Sequence, residues 1–360
     1  MKMIKVLIVD DSLFMRKIIG KILEEDDEIV VVGSAKNGKE AVEMNLKLNP
    51  DVITLDVEMP IMNGLEALKE IMNTKPTKVI MLSSLTTEGA KETIEALENG
   101  AFDFLSKPDG KSVSLNIEKI SDELIQMVKE AKKANINLLK VNKVKKSKEE
   151  KISFSSILKK KAKKELHKGH KKPSKIVSIG ISTGGPKALQ TIIPKIPEDI
   201  DAGILIVQHM PPKFTKSLAD RLNELSNIEV REAQDGDKVE RGVAYIAPGS
   251  HHMTLSKDKE TIKLNLDPPS QGHRPSVDVM YNSLIKNYDM KKLIAVIMTG
   301  MGKDGAEGIK KIRELGGITI GQSKETCVVY GMPRVADELG GVEYVADLEK
   351  IPEYILKHIK

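Results

Sequence analysis

The sequence predicts two doubly wound parallel α/β units joined by a basic linker. Short apolar, β-branched runs alternate with helix-spaced segments over residues 4–134, and the alternation resumes from residue 173. That βαβ rhythm implies parallel sheets with helices on their faces. Between the two stretches, residues 141–175 hold 14 Lys and 3 Glu, a net of +11, so the chain's formal +5 leaves −6 for everything else. Such a segment repels itself and offers little apolar surface to bury, which predicts a solvated tether. A length of 360 residues fits two domains, and 40% hydrophobic with 30% charged residues is a globular balance.

In the first unit, residues 4–9 form the opening strand and 12–24 a helix, with Ser12 as a good N-cap. Strands follow at 29–33, 51–55, 78–82 and 102–105. Helices fall from about 39, from about 64, at 87–98 and over about 112–134. Five βα units predict the strand order 2-1-3-4-5, in which strands one and three are neighbours. Ligands of such sheets bind beyond the carboxyl ends of the strands, where the order reverses.

The residues at those ends carry chemistry. Asp10 and Asp11 end strand one, Asp56 strand three, Ser83 strand four and Lys107 strand five. Three carboxylates in one pocket are costly without a cation. Mg²⁺ suits them, because it takes hard oxygen ligands and keeps several waters. Lys107 and Ser83 are placed to hold the oxygens of an incoming phosphoryl group, and an Asp carboxylate can serve as its nucleophile.

With the Asp10-Asp11 pair, Asp56 in Leu-Asp-Val-Glu-Met-Pro, Ser83 and Lys107-Pro108, residues 1–115 resemble the response-regulator receiver domain, a flavodoxin-like fold. The resemblance implies phosphorylation at Asp56, Mg²⁺ held by Asp10, Asp11 and Asp56, and a cis Lys107–Pro108 bond. It also gives Phe104 the place of the family's switch aromatic.

In the second unit, strands are predicted at 176–181, 204–208, 244–247, 293–298 and 318–320, with a hairpin over 253–264. Helices fall at 186–193, 277–286, 304–315 and 348–360. Strand 176–181 runs into Ser182-Thr-Gly-Gly-Pro186, whose glycines permit a sharp turn and whose proline suits a first helical turn. Ser182 then stands on a strand-to-helix turn, as an exposed nucleophile does. Strand 204–208 ends in His209, and strand 293–298 ends in a glycine-rich turn containing Asp304. A serine, a base and an orienting carboxylate at one sheet edge are the groups that nucleophilic acyl transfer needs. Gly300 and Gly302 leave backbone N–H groups there for an oxyanion hole.

The chain order Ser, His, Asp differs from the Ser, acid, His order of α/β-hydrolases. His358 would restore that order, but it sits in a Lys-rich terminal helix. The remaining histidines lack metal-ligand spacing with acids, and nothing near Cys327 lowers its pKa, so it reads as a buried structural thiol.

The segments at 179–186, 208–215 (Gln-His-Met-Pro-Pro-Lys-Phe-Thr), 247–249, 273–278 (His-Arg-Pro-Ser-Val-Asp), 298–306 and 327–333 resemble the protein-glutamate methylesterase (CheB) family of chemotaxis. The resemblance spans nearly all of 173–360. It divides the chain into a receiver at 1–115, a helix and Lys-rich linker at 116–172 and a catalytic domain at 173–360. It implies Ser182 as nucleophile, His209 as base, Asp304 as orienting acid, the Met301 N–H as oxyanion donor and Thr183 as a supporting contact at His209. The implied reaction is phosphorylation-activated hydrolysis of glutamate methyl esters on methyl-accepting chemoreceptors, with deamidation of glutamines at the same site. A chemotaxis histidine kinase is the implied phosphodonor. The linker is longer and more basic than the family's pattern.

Other functions are constrained. No apolar run reaches the roughly 18 residues of a membrane helix. The start shows no cleavage signal, and a single cysteine excludes an internal disulfide, so a cytoplasmic protein is expected. A regulator binding DNA through the Lys-rich segment would leave the Ser, His and Asp strand ends unexplained. Apart from Phe154 no aromatic interleaves with those lysines, which argues against nucleic acid. A catalytically silent receptor-docking regulator is the remaining alternative.

Overall fold

A parallel strand covered by helices on both faces needs apolar side chains on both, so central strands read as continuous apolar runs. The computed structural model describes residues 3–107, 113–140, 172–258 and 260–359 and places those runs in two parallel sheets. The first joins β1 (Ile4–Val9), β2 (Ile29–Ala35), β3 (Val52–Asp56), β4 (Lys78–Ser83) and β5 (Asp103–Ser106) in the order β2-β1-β3-β4-β5. Every residue of β3 is buried. Helices α1 (Leu13–Glu24), α2 (Gly38–Leu48), α3 (Gly64–Thr74), α4 (Thr87–Glu98) and α5 (Val113–Lys133) connect and cover it. Ser12, Asn37, Asn63 and Thr86 cap four of them by accepting a backbone N–H. The C-terminal part of α5 packs Leu124, Met127, Val128 and Ala131 into the same core, and α6 (Ile136–Leu139) follows. The expected cis bond at Pro108 and most of the Lys-rich linker lie outside the described residues.

The second sheet has seven parallel strands in the order β14-β13-β12-β6-β7-β9-β8. They are β6 (Lys175–Ile181), β7 (Ala202–Gln208), β8 (Glu229–Glu232), β9 (Val243–Ile246), β12 (Leu293–Ile297), β13 (Ile318–Gln322) and β14 (Tyr344–Ala346). β10 (His252–Leu255) and β11 (Ile262–Asn265) form the expected antiparallel hairpin. The helices are α7 (Gly185–Ile192), α8 (Phe214–Leu225), α9 (Val277–Asn287), α10 (Ala306–Glu314), α11 (Met332–Glu338) and α12 (Ile351–Ile359). From β6 the chain builds outward on one side through β7, then returns to build the other side from β12. The order therefore reverses between β6 and β12.

Sequence reading missed α6, β8, β14, α8 and α11. β8 and β14 are edge strands, paired on one side only, and β8 is Glu-Val-Arg-Glu with one apolar residue. α8 starts without a capping side chain, after Lys213 at φ 73°. Among the described helices none is long and apolar enough to cross a membrane.

Candidate active site

At the first sheet's carboxyl edge, Asp10 follows β1 and Asp56 ends β3, both buried, while Asp11 is exposed. One carboxylate oxygen from each of Asp10, Asp11 and Asp56 lies within 4.8 Å of the others. Lys107 Nζ spans the buried pair, 2.9 Å from Asp10 Oδ2 and 2.8 Å from Asp56 Oδ2. Burial raises the Asp56 carboxyl to about 6 even though the Lys107 ammonium opposes the rise. Burial works against the Lys107 charge too, but its hydrogen bonds to Asp56 and Asp10 prevail and hold its pKa above the ordinary value. One ammonium against three carboxylates leaves a net negative, all-oxygen donor set, which fits Mg²⁺. Asp11, Asp56, Glu58, Ser84 and Lys107 line a cleft there. Ser83 is buried, and its hydroxyl bonds the Gly89 carbonyl at 3.2 Å; the hydroxyl on the cleft wall belongs to Ser84.

The second sheet brings three distant residues together at its reversal point. The Ser182 N–H extends the ladder to the Thr299 carbonyl (3.0 Å), and the His209 N–H does the same to Ile181 (3.2 Å). Gly184 turns the chain at φ 76°, and a Cβ on Gly185 would stand 1.9 Å from the buried Gln208 Oε1. Gln208 Nε2 in turn bonds the carbonyls of Ser182 and His209, both at 3.1 Å. α7 has no side-chain cap, so the Ser182 hydroxyl is not spent on its N–H groups.

His209 Nδ1 lies 3.2 Å from Ser182 Oγ, and its Nε2 lies 2.8 Å from Asp304 Oδ2. This geometry sets the tautomer: Nε2–H donates to Asp304, and Nδ1 is free to accept from Ser182. The Asp304 carboxylate is held by the Ser276 hydroxyl (2.8 Å) and the N–H groups of Val277 (2.6 Å) and Asp278 (3.0 Å), at the N-terminus of α9. Burial alone would raise its pKa, but the hydrogen bond and charge of His209 and those N–H groups keep it below the usual carboxylate range. Ser276 and Asp278 were not singled out from sequence, although a serine directly before a helix starting at 277 is an N-cap signature.

Gly300 packs against the nucleophile; a Cβ there would sit 2.7 Å from Ser182 Cβ. Met301 follows in the same turn. Among the described residues no hydrogen bond joins Thr183 to His209, where a supporting contact is expected. Thr183 lies instead near the Asp103 carboxyl of β5, whose pKa burial raises to about 6. His358 belongs elsewhere: its carbonyl accepts from Lys175, at the start of β6. Ser182 lies beyond the other end of that strand, about 20 Å away at the usual rise per residue. Cys327 is buried, which pushes its thiol well above the ordinary value.

The α4–β5 edge of the first sheet docks against α7 and α8, beside this site. Phe104 stacks on Phe214, with centroids 4.6 Å apart and planes 10° from parallel. Arg221 clamps Glu98 through two hydrogen bonds (2.6 and 3.1 Å), and Gln190 adds a third at 2.9 Å. Lys187, on the helix behind Ser182, donates to the carbonyls of Leu138 and Leu139 (2.9 and 2.8 Å).

Comparison with known proteins gives two family matches: CheB methylesterase over residues 177–355, and response regulator receiver domain over 6–116. The chain is 48% identical to a "protein-glutamate methylesterase/protein-glutamine glutaminase" of Pyrococcus horikoshii, over 99% of this chain and 94% of the relative. A relative of the same description from Archaeoglobus fulgidus is 46% identical over 99% of this chain and 98% of its own. Among solved structures, the Thermotoga maritima CheB methylesterase catalytic domain is similar at TM-score 0.50 and 47% identity, covering 51% of this chain and 98% of that one.

Proposed function

This chain belongs to the CheB methylesterase family with a receiver domain, and on that premise we propose how its own residues perform the family's hydrolysis of glutamate methyl esters and glutamine amides. The observation that carries the proposal is the Ser182–His209–Asp304 relay, continuous from Oγ through both ring nitrogens to Oδ2. His209 Nδ1 takes the Ser182 proton as Oγ attacks the ester carbonyl. Asp304, gripped by Ser276 and the start of α9, orients the ring and balances the imidazolium. The Met301 N–H, beside the packed Gly300, receives the oxyanion, a donor worth about 10²–10³ in rate. The protonated base then gives its proton to the leaving methoxide, or to the leaving amine when the substrate is glutamine. Water, deprotonated by His209, cleaves the acyl-enzyme to glutamate.

Receiver domains are phosphorylated in a Mg²⁺-dependent way by histidine kinases, and chemoreceptors are the substrates of this enzyme class. We assign the phosphoryl group to Asp56, the cation to Asp10, Asp11 and Asp56, and the phosphoryl oxygens to Lys107 and to Ser83, whose hydroxyl must first turn from Gly89. When bound, Mg²⁺ neutralises charge between phosphodonor and carboxylate. We place the receiver at 1–115, with α5 closing its core, the linker within 116–172, the catalytic domain at 173–360, and the whole chain in the cytoplasm. In the resting state the receiver sits over the Ser182 face, and phosphorylation weakens the α4–β5 contact. The test is methanol release from methylated receptor. Ser182→Ala is expected to abolish it, and a variant retaining the parent rate overturns the triad.

A further inference from the structure

The His209 ring is held at more than its edge. His273 lies face to face with it, centroids 4.0 Å apart and planes 8° from parallel. His273 comes from the loop between β11 and α9, and that loop is tied down on several sides. Ser270 and His273 exchange both backbone hydrogen bonds (3.0 and 2.9 Å), closing a turn in which Gln271 and Gly272 have φ 49° and 82°. Gln271 Nε2 reaches Asp278 Oδ2 (2.9 Å). Arg274 Nη1 donates to the carbonyls of Leu266 and Asp267 (2.9 and 3.1 Å). Two residues on, Ser276 and the first N–H groups of α9 hold Asp304. One short segment, 273–278, thus presents a ring to the face of His209 and fixes the carboxylate at its edge.

We propose that His273 is a positioning residue for the esterase reaction, acting through His209. Its ring sets the plane of the base between Ser182 and Asp304 and covers the face on which positive charge develops. The inference rests on the triad reading above. Two in-plane hydrogen bonds fix the His209 edge but leave the ring free to tilt about the line joining Ser182 Oγ to Asp304 Oδ2. A flat group in van der Waals contact blocks that tilt. It also keeps water off the ring, which preserves the pull of Asp304 on the imidazolium. An aromatic face favours a cation stacked on it.

The experiment uses the full chain, activated with a small-molecule phosphodonor and assayed on methylated receptor. His273→Ala is expected to lower kcat about 5- to 10-fold, the scale of a lost aromatic stack plus a cation–π contact, with KM unchanged. His273→Phe, which keeps a flat ring, should recover to within about twofold of the parent. His273→Leu fills the space without a flat face and should stay as slow as His273→Ala. The rate at which a fluorophosphonate labels Ser182 reads the nucleophile without receptor binding and should fall in parallel. The proposal is overturned if His273→Ala or His273→Leu keeps the parent kcat, if His273→Phe is as slow as alanine, or if the loss appears in KM alone. Ser182→Ala in the same assay separates the two readings. An active Ser182→Ala sinks the triad, whereas a dead one beside a fully active His273→Ala sinks only the role of His273.

Discussion

In the proposed resting state the receiver sits over the Ser182 face with the Asp103 carboxyl near Thr183, and the charge resists that burial. Its pKa is raised from 3.8 to about 6, first by desolvation, against the opposing Phe104 N–H and Thr183 contacts. A rise of about two units is about 3 kcal/mol of penalty on the charged form as a ceiling. Phe104 N–H and Glu123 belong to the receiver itself and act whether or not the domains are docked. Taking about a third of that ceiling as the share that falls on docking gives about 1 kcal/mol, or about fivefold in the docking equilibrium. Asp103→Asn removes the charge and keeps an acceptor for the Phe104 N–H, so it should dock tighter. At pH 7.5 its resting rate of methanol release is expected to be about fivefold below the parent's. Because the docked carboxyl has the higher pKa of the two states, docking is unaffected where both are protonated. It weakens as pH climbs through the interval just below about 6 and carries the whole docking share of the penalty above. The gap between variant and parent should therefore narrow as pH is lowered towards 5. A variant with equal or higher resting activity at pH 7.5, or a gap that ignores pH, refutes the reasoning.

A chain beginning at residue 173 should release methanol without phosphodonor and faster than the resting full chain; a slower one argues against occlusion. His209→Ala should lose esterase activity by several orders of magnitude while His358→Ala stays within about twofold, read on the same receptor substrate. Ser276→Ala leaves Asp304 with its two backbone donors and His209 and should cost about 10-fold or more in kcat, since a hydrogen bond to a charged group is worth about 1.5–3 kcal/mol. Gly185→Ala pushes a Cβ into buried Gln208 Oε1 and should lower the melting midpoint and kcat together, by about 1–3 kcal/mol of overpacking strain.

Much of this protein is legible along the chain. The central strands announce themselves as apolar runs because both faces are covered, and each run stops at the residue that matters: Asp10, Asp56, Ser182, His209. Parallel order then gathers those stops at one edge without reference to any particular contact. The edge strands β8 and β14 escape that logic, since half their surroundings are solvent and their composition is set by it. So does α8, whose first residue follows a positive-φ lysine rather than a cap.

What only the tertiary structure decides are the pairings between residues far apart in sequence. That Asp304 is gripped by the N-terminus of α9 and that His273 lies flat on His209 both depend on loop paths, and that Phe104 stacks on Phe214 depends on inter-sheet docking. Periodicity and propensity report a residue's own helix or strand and the face it buries. They carry no record of which distant side chain arrives from outside that element, because many partners satisfy the same local pattern and the packing of whole elements selects one.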